Sequence, residues 1–218
     1  MADNDADQRQ EFAKMLSRVA YLFELLLDEH GASNNAVGWS HPDVHKQSIQ
    51  TLLRLIEPQG REDLTINDFG CGYGLLFEFI RNEPWFKNGA YYGYDINESM
   101  ATEVIHRYGR DGRVHAAQTM EPYWEADYSI AAGTFNCSLQ APEKDWLELI
   151  AVSLYWLWNM SKKGMAVSFL NQEWKVKDPD LIYLDPGEWL AWCQQNFSQN
   201  CVLIENEPKG QFALLIYR

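Results

Sequence analysis

The chain has 218 residues, enough for one large domain with a full core or for one domain with an added helical segment. Its formal net charge of −13, with few basic side chains and no basic cluster, argues against tight duplex binding, which needs cations to neutralise phosphates. No stretch is apolar and long enough to cross a bilayer. The acidic, polar opening MADNDADQRQEFAK lacks the pattern of a secretory signal, so a cytoplasmic location is expected.

The four cysteines, Cys71, Cys137, Cys193 and Cys201, lie far apart, match no zinc-ligand spacing and read as reduced thiols, so no metal is expected. In chain order, Phe12, Leu16, Val19, Phe23 and Leu26 recur at helical spacing, and Gly31 is a natural stop. A polar stretch, Gly31 to Gly38, follows. Ser40-His41-Pro42-Asp43 then reads as a capping box opening a second helix, with Val44, Ile49, Leu52, Leu53 and Ile56 on its apolar side.

From Leu64 the rhythm becomes strand, turn, helix. Strands are expected at 64–69, 91–95, 113–117, 128–133 and 165–170, with helices at 75–81, 99–108, 145–160 and 186–196. Two further strands, 202–205 and 212–217, have no helix between them. Alternation predicts an α/β fold with a doubly wound, mostly parallel seven-stranded sheet, and the final pair predicts an antiparallel C-terminal hairpin. Residues 1–60 are read as a helical lid and substrate segment of two helices, and 61–218 as the main domain.

The most informative run is Asp68-Phe69-Gly70-Cys71-Gly72-Tyr73-Gly74, after the strand Leu64-Thr65-Ile66-Asn67. Glycines at alternate positions permit positive φ where a strand hands over to a helix, the place where open α/β sheets bind ligands. A dinucleotide fingerprint spaces its glycines G-x-G-x-x-G and rests a pyrophosphate on the helix start. Here the spacing is G-x-G-x-G, and the acid at Asp68 would repel a pyrophosphate and attract a cationic ligand. Asp95 ends the next strand, about 20 residues on, where a carboxylate can accept both hydroxyls of a ribose. Cys71, inside the loop, reads as a small packed residue.

These residues resemble the class I S-adenosylmethionine-dependent methyltransferases. Asp68, Gly70, Gly72 and Gly74 are similar to that family's first motif, Asp95 to its ribose-binding acid, and Asp127 to Asn136 to its fourth strand and the loop facing the transferred methyl group. The resemblance covers Leu64 to Arg218. It implies S-adenosylmethionine as cofactor and S-adenosylhomocysteine as product. It places Ile96, Met100, Ala117, Gln118 and Thr119 near the adenine, and Cys71 and Gly133 against the cofactor. Trp39-Ser40 and Gln47 resemble a Trp-Ser…Gln element of a cofactor-covering N-terminal segment, which makes Trp39 a further candidate.

On the acceptor side, a general base is needed only if the nucleophile arrives protonated. His41, His45, Glu121, Tyr183 and Asp185 are the candidates, with His41 and Tyr183 preferred; His41 and His45 are expected to share a helix face. Phe135, Asn136, Trp124 and Trp174 are expected to line an acceptor pocket, with Tyr123 beside them. The loop Gly133-Thr134-Phe135-Asn136 is unlike the Pro-Pro-Tyr loops of nucleobase methyltransferases, and no Pro-Cys pair is present. A small-molecule acceptor at N or O is therefore expected, with no nucleic acid or membrane partner. The alternatives are a protein or peptide acceptor, or a non-catalytic protein that keeps the fold. The glycine spacing and Asp68 disfavour a nicotinamide oxidoreductase.

Overall fold

The computed structural model describes residues 2–39 and 41–218, with side chains from Arg9 on. Ser40, expected in the capping box and the Trp-Ser pair, lies outside the described residues. Helix α1 (Ala2–His30) carries the apolar stripe read from the sequence, and its final turn gives way to a short 3₁₀ turn, Asn35–Val37. Helix α2 is Pro42–Leu53. Then follow β1 (Thr65–Phe69), α3 (Leu75–Ile80), β2 (Ala90–Asp95), α4 (Glu98–Tyr108), β3 (Val114–Gln118), β4 (Ala126–Ala132), α5 (Glu143–Asn159), β5 (Ser161–Leu170), α6 (Pro186–Asn196), β6 (Cys201–Glu205) and β7 (Gln211–Tyr217).

The strands form one seven-stranded sheet in the order β3-β2-β1-β4-β5-β7-β6. The first five are parallel, and β7 runs antiparallel to both β5 and β6. The hairpin expected from the two closing strands is present, with β7 inserted between its partner and the rest of the sheet. Successive strands step outward from β1 to β3 on one side and from β4 to β5 on the other, so the chain reverses direction between β1 and β4. That switch point is where the strand tips leave a crevice.

Two apolar layers cover the sheet. On one face Ile49 and Leu52 of α2, Leu76 and Phe77 of α3 and Val104 of α4 pack on Ile66, Tyr91, Tyr128 and Ile130. On the other, Trp146, Leu149, Ile150 and Leu154 of α5 pack with Phe69, Tyr94, Val167 and Phe212, and Phe12 and Val19 of α1 join them. Thus α2 is a layer helix of the sheet as well as a neighbour of the crevice. Among the described residues no helix is long and apolar enough to cross a membrane.

The passage from β3 to β4 is unusual because Thr119–Glu125 crosses the sheet with no helix. Such a strap must satisfy its own backbone groups. Buried Asn67 of β1 donates from Nδ2 to the Trp124 carbonyl (2.9 Å) and to Ser129 Oγ (3.3 Å), while the Trp124 amide donates to the Tyr94 hydroxyl (2.9 Å). The Trp124 ring stacks on Tyr92 at 4.9 Å. An Asn67→Ala substitution leaves the strap carbonyl unpaired and opens a small void. It is expected to cost about 2 kcal/mol in urea unfolding and to expose 119–125 to limited proteolysis. Wild-type stability in that variant would remove Asn67 as the anchor.

Candidate functional site

The crevice at the switch point is a partly enclosed cavity that opens to solvent. Its floor is the loop after β1, its flanks are the tips of β2 and β4, and its roof is α1 with the segment leading to α2. Asp68, Gly70, Cys71, Gly72, Asp95, Ile96, Met100, Thr119, Gly133 and Trp39, all expected at a cofactor, border it, as does Phe135 from the acceptor set.

The loop after β1 must turn sharply and let other parts of the chain come close. At Gly72, φ is +52°, and a Cβ would lie 2.7 Å from Val37 Cγ1; at Gly133, φ is +68°, and a Cβ would lie 2.9 Å from the Trp39 ring. Both positions exclude a side chain because the roof presses on them. Gly74 differs from these two, since it caps α3 and packs on Tyr108 and Val104 of α4 rather than bordering the cavity.

Two carboxylates dominate the floor. Asp68 is buried and accepts from the Tyr91 hydroxyl at 2.6 Å; its other oxygen has no protein partner among the described residues. Asp95, at the tip of β2, accepts from the Gly72 amide (2.9 Å) and the Asn97 amide (2.9 Å). Burial pushes Asp68 up to about 7, against the Tyr91 hydrogen bond and with a further rise from Asp95. Burial likewise lifts Asp95 to about 6, against its backbone hydrogen bonds. No lysine or arginine borders the cavity among the described residues. Burial pushes the Cys71 thiol well above its usual value, which leaves it a packed, inert group.

The acceptor-side expectations need correction. His41 is exposed and does not border the cavity. Its backbone is extended (φ −122°, ψ 108°) because Pro42 at the first helical position disfavours helical geometry in the residue before it. The shared-face argument for His41 and His45 assumed that both were helical. His45 is the histidine that reaches the cavity: it is buried, stacks on Trp39 at 4.6 Å with 6° between planes, and pairs through Nδ1 with Asn34 Oδ1 at 2.8 Å. Its position four residues before Ile49, and seven before Leu52, was the signal for an inward-facing histidine.

Tyr183 also lies outside the cavity, its hydroxyl accepting from the Asp178 amide at 3.0 Å. Asp185 caps α6 by accepting from the Glu188 amide, and Glu121 pairs with Arg9. Trp124 belongs to the β3–β4 strap, and Trp174 packs over Gly210 with Lys209 above its ring, so neither borders the cavity. Asn136 is a framework residue whose carbonyl accepts from the Ile182 amide. Gln118 reaches back to the Ile96 carbonyl, and Gln47 is exposed. Sequence reasoning did not single out Tyr73 and Thr134 as cavity residues, and it placed Leu16, Val19 and Phe23 in the lid segment without naming them at the site, where they line the cavity. No cluster of three or more His, Cys, Asp or Glu side chains suited to a metal ion occurs among the described residues.

No protein-family model matches the chain. The chain is 30% identical over 162 residues to a Mycobacterium tuberculosis (strain ATCC 25618 / H37Rv) protein named "Putative methyltransferase Rv1506c", a match covering 71% of this chain and 93% of that one. Its fold is similar to the crystal structure of magnesium protoporphyrin IX methyltransferase (ChlM) from Synechocystis PCC 6803 with bound SAM, with a TM-score of 0.57, 17% identity, and 81% of this chain and 80% of that chain covered. It also resembles mitomycin 7-O-methyltransferase MmcR (TM-score 0.59, 13% identity, 90% and 60% covered) and the methyltransferase domain of bacterial CtHen1 (TM-score 0.57, 13% identity, 80% and 100% covered).

The raised carboxylates fix a pH dependence of the ligand-free protein. Both bind protons more tightly folded than unfolded, so their contribution is fully present below about pH 4 and is lost as pH rises through about 6 to 7. Asp68→Asn removes the larger part. That variant is expected to exceed the wild type in urea stability at pH 8 by on the order of 2–4 kcal/mol and to match it near pH 4. An identical pH profile for the two proteins would rule out a strained Asp68.

Proposed function

Because the chain belongs to the methyltransferases and has their class I fold, we propose that it binds S-adenosylmethionine at the tips of β1 and β2 and transfers its methyl group to a small molecule at O or N. The observation that carries this reading is the pair of buried carboxylates, Asp68 and Asp95, with no cationic side chain among the described residues of the cavity. A buried anion without a cation is costly, and a site that keeps two calls for a ligand that supplies the charge.

The residues present suit that ligand. The unpartnered oxygen of Asp68 would receive the ammonium of the methionine moiety, and Asp95, already aimed by the Gly72 and Asn97 amides, would take the ribose hydroxyls. Ile96, Met100 and Thr119 would border the base. When bound, the cofactor supplies an electrophilic methyl group on a sulfonium leaving group that needs no acid catalyst. The protein's own part is then to orient and to exclude water. Val37, Trp39 and the α1 side chains Leu16, Val19 and Phe23 close the top of the site, so we take residues 1–60 as the lid over a 61–218 cofactor domain.

The partly enclosed, apolar cavity and its acidic floor favour a small molecule over a nucleic acid strand, whose phosphates would meet Asp68 and Asp95 without a basic side chain on the described cavity wall. Four free cysteines suit a reducing cytoplasm.

If Asp68 must ionise to hold the cofactor, affinity for S-adenosylmethionine is expected to fall about tenfold for each pH unit below about 7, measured by calorimetry. Asp68→Asn should flatten that slope and Asp95→Ala should weaken binding about a hundredfold. A pH-independent affinity, or full affinity in a folded Asp95→Ala protein, would sink the assignment.

A further inference from the structure

Resting on the acceptor role just assigned to this cavity, we infer that His45 reads the acceptor, and that the acceptor is an uncharged, largely apolar molecule presenting a hydroxyl group to His45 Nε2.

The tautomer follows from the neighbours. Asn34 Oδ1 receives the Tyr73 hydroxyl at 3.3 Å and lies 2.8 Å from His45 Nδ1. With Asn34 Oδ1 facing the ring, that oxygen can only accept, and we assign the hydrogen to Nδ1, which leaves Nε2 its lone pair. Nε2 has no protein partner among the described residues, while the ring borders the cavity. Stacking on Trp39 fixes the plane of the imidazole, and the Trp39 ring itself sits against Gly133. His45 therefore lies on Trp39 beside the loop after β4.

The surroundings state what such a nitrogen can meet. Phe23, Val37, Ile49, Phe135 and Leu149 are apolar groups of the same cavity, and Ser153 and Thr134 are small neutral ones. Burial holds His45 down at about 4, so the ring stays neutral across the working range of pH. The titratable groups that share the cavity are Asp68, Asp95, Cys71, Tyr73 and Tyr94, none of them cationic. An anionic acceptor would find no cationic side chain on the described wall, and an ammonium would lose its hydration to apolar groups while lacking a lone pair to methylate. A hydroxyl compound keeps its apolar body on the wall and satisfies the bare Nε2. Nε2 of His45 would accept the hydrogen bond that aims the hydroxyl oxygen, and would take the hydroxyl proton as the oxygen–methyl bond forms and the methyl–sulfur bond breaks, so that a neutral ether and S-adenosylhomocysteine leave.

The test titrates protein saturated with S-adenosylhomocysteine with three probes of similar shape: 2-naphthol, 2-methoxynaphthalene and 2-naphthoate. The expected order is naphthol tightest, the methoxy compound, which lacks a donor, about tenfold weaker, and naphthoate without measurable binding. His45→Phe should erase the difference between naphthol and methoxynaphthalene while leaving S-adenosylhomocysteine affinity unchanged, and His45→Gln, which restores an acceptor oxygen, should recover part of it. In ¹⁵N-labelled wild-type protein, the His45 ring should show a protonated Nδ1 and a bare Nε2 that shifts on adding naphthol, a readout independent of how the variants fold. Equal affinity for the three probes, preference for naphthoate, absence of naphthol binding, or a protonated Nε2 would each overturn the proposal. Failure to bind S-adenosylhomocysteine would overturn the cofactor reading instead, and the same titration of ligand-free protein then decides the His45 proposal alone.

Discussion

The buried carboxylates at the tips of β1 and β2 are the constraint around which the rest of the site is arranged. Among the described residues neither Asp68 nor Asp95 is paired with a cation, and both are held where charge is expensive. Tyr91 donates to one and two backbone amides donate to the other, so hydrogen bonding softens the penalty without cancelling it. The Gly72 amide that steadies Asp95 belongs to the same loop that Asp68 precedes. The turn of the glycine loop and the aim of both carboxylates are one structure: a side chain at Gly72 would strike Val37, move the amide and release Asp95.

The missing helix between β3 and β4 explains why the N-terminal helix sits where it does. A βαβ crossover ordinarily buries its own helix on the sheet, and here only an extended strap crosses. The exposed rim is covered from the other end of the chain. Phe12 and Val19 of α1 pack with Phe69 and Tyr94 near the strand tips, and Glu24 accepts from Asn97 Nδ2 and Ser99 Oγ, both at 2.8 Å. Asn97 also donates its amide to Asp95. The roof and the floor are therefore joined through one asparagine, and loosening α1 would disturb the carboxylate that the roof covers.

Legibility in the sequence followed the range of the interaction. Strand and helix positions were readable because period and glycine placement are local, and Asp68 and Asp95 were readable because strand tips converge in any open parallel sheet. The β3–β4 strap was legible only as the lack of a helical pattern. His45 was a candidate but His41 was preferred, because the meaning of His45 depends on Asn34 and Tyr73, eleven positions before it and twenty-eight after it, and on whether His41 was helical at all. Pro42 held the answer to the second question through its effect on the preceding residue. Trp124 and Trp174 misled because an aromatic in a loop is as useful for anchoring a strap or covering a glycine as for gripping a ligand. Sequence alone did not say which loops carried unsupported backbone.

The two ends of the cavity set opposite electrostatic terms, and this is what gives the fold a direction. At the β2 end, charge without a counter-ion favours a cationic ligand; at the β4 end, a neutral imidazole among apolar side chains penalises charge of either sign. A single ligand bridging both ends would have to be cationic at one pole and neutral and apolar at the other. Gly133, with Trp39 pressed against its backbone and His45 stacked on that ring, belongs to the β4 side. Two ligands, each suited to one side, meet these terms separately, and a donor and an acceptor can each be selected by a different physical criterion within one crevice.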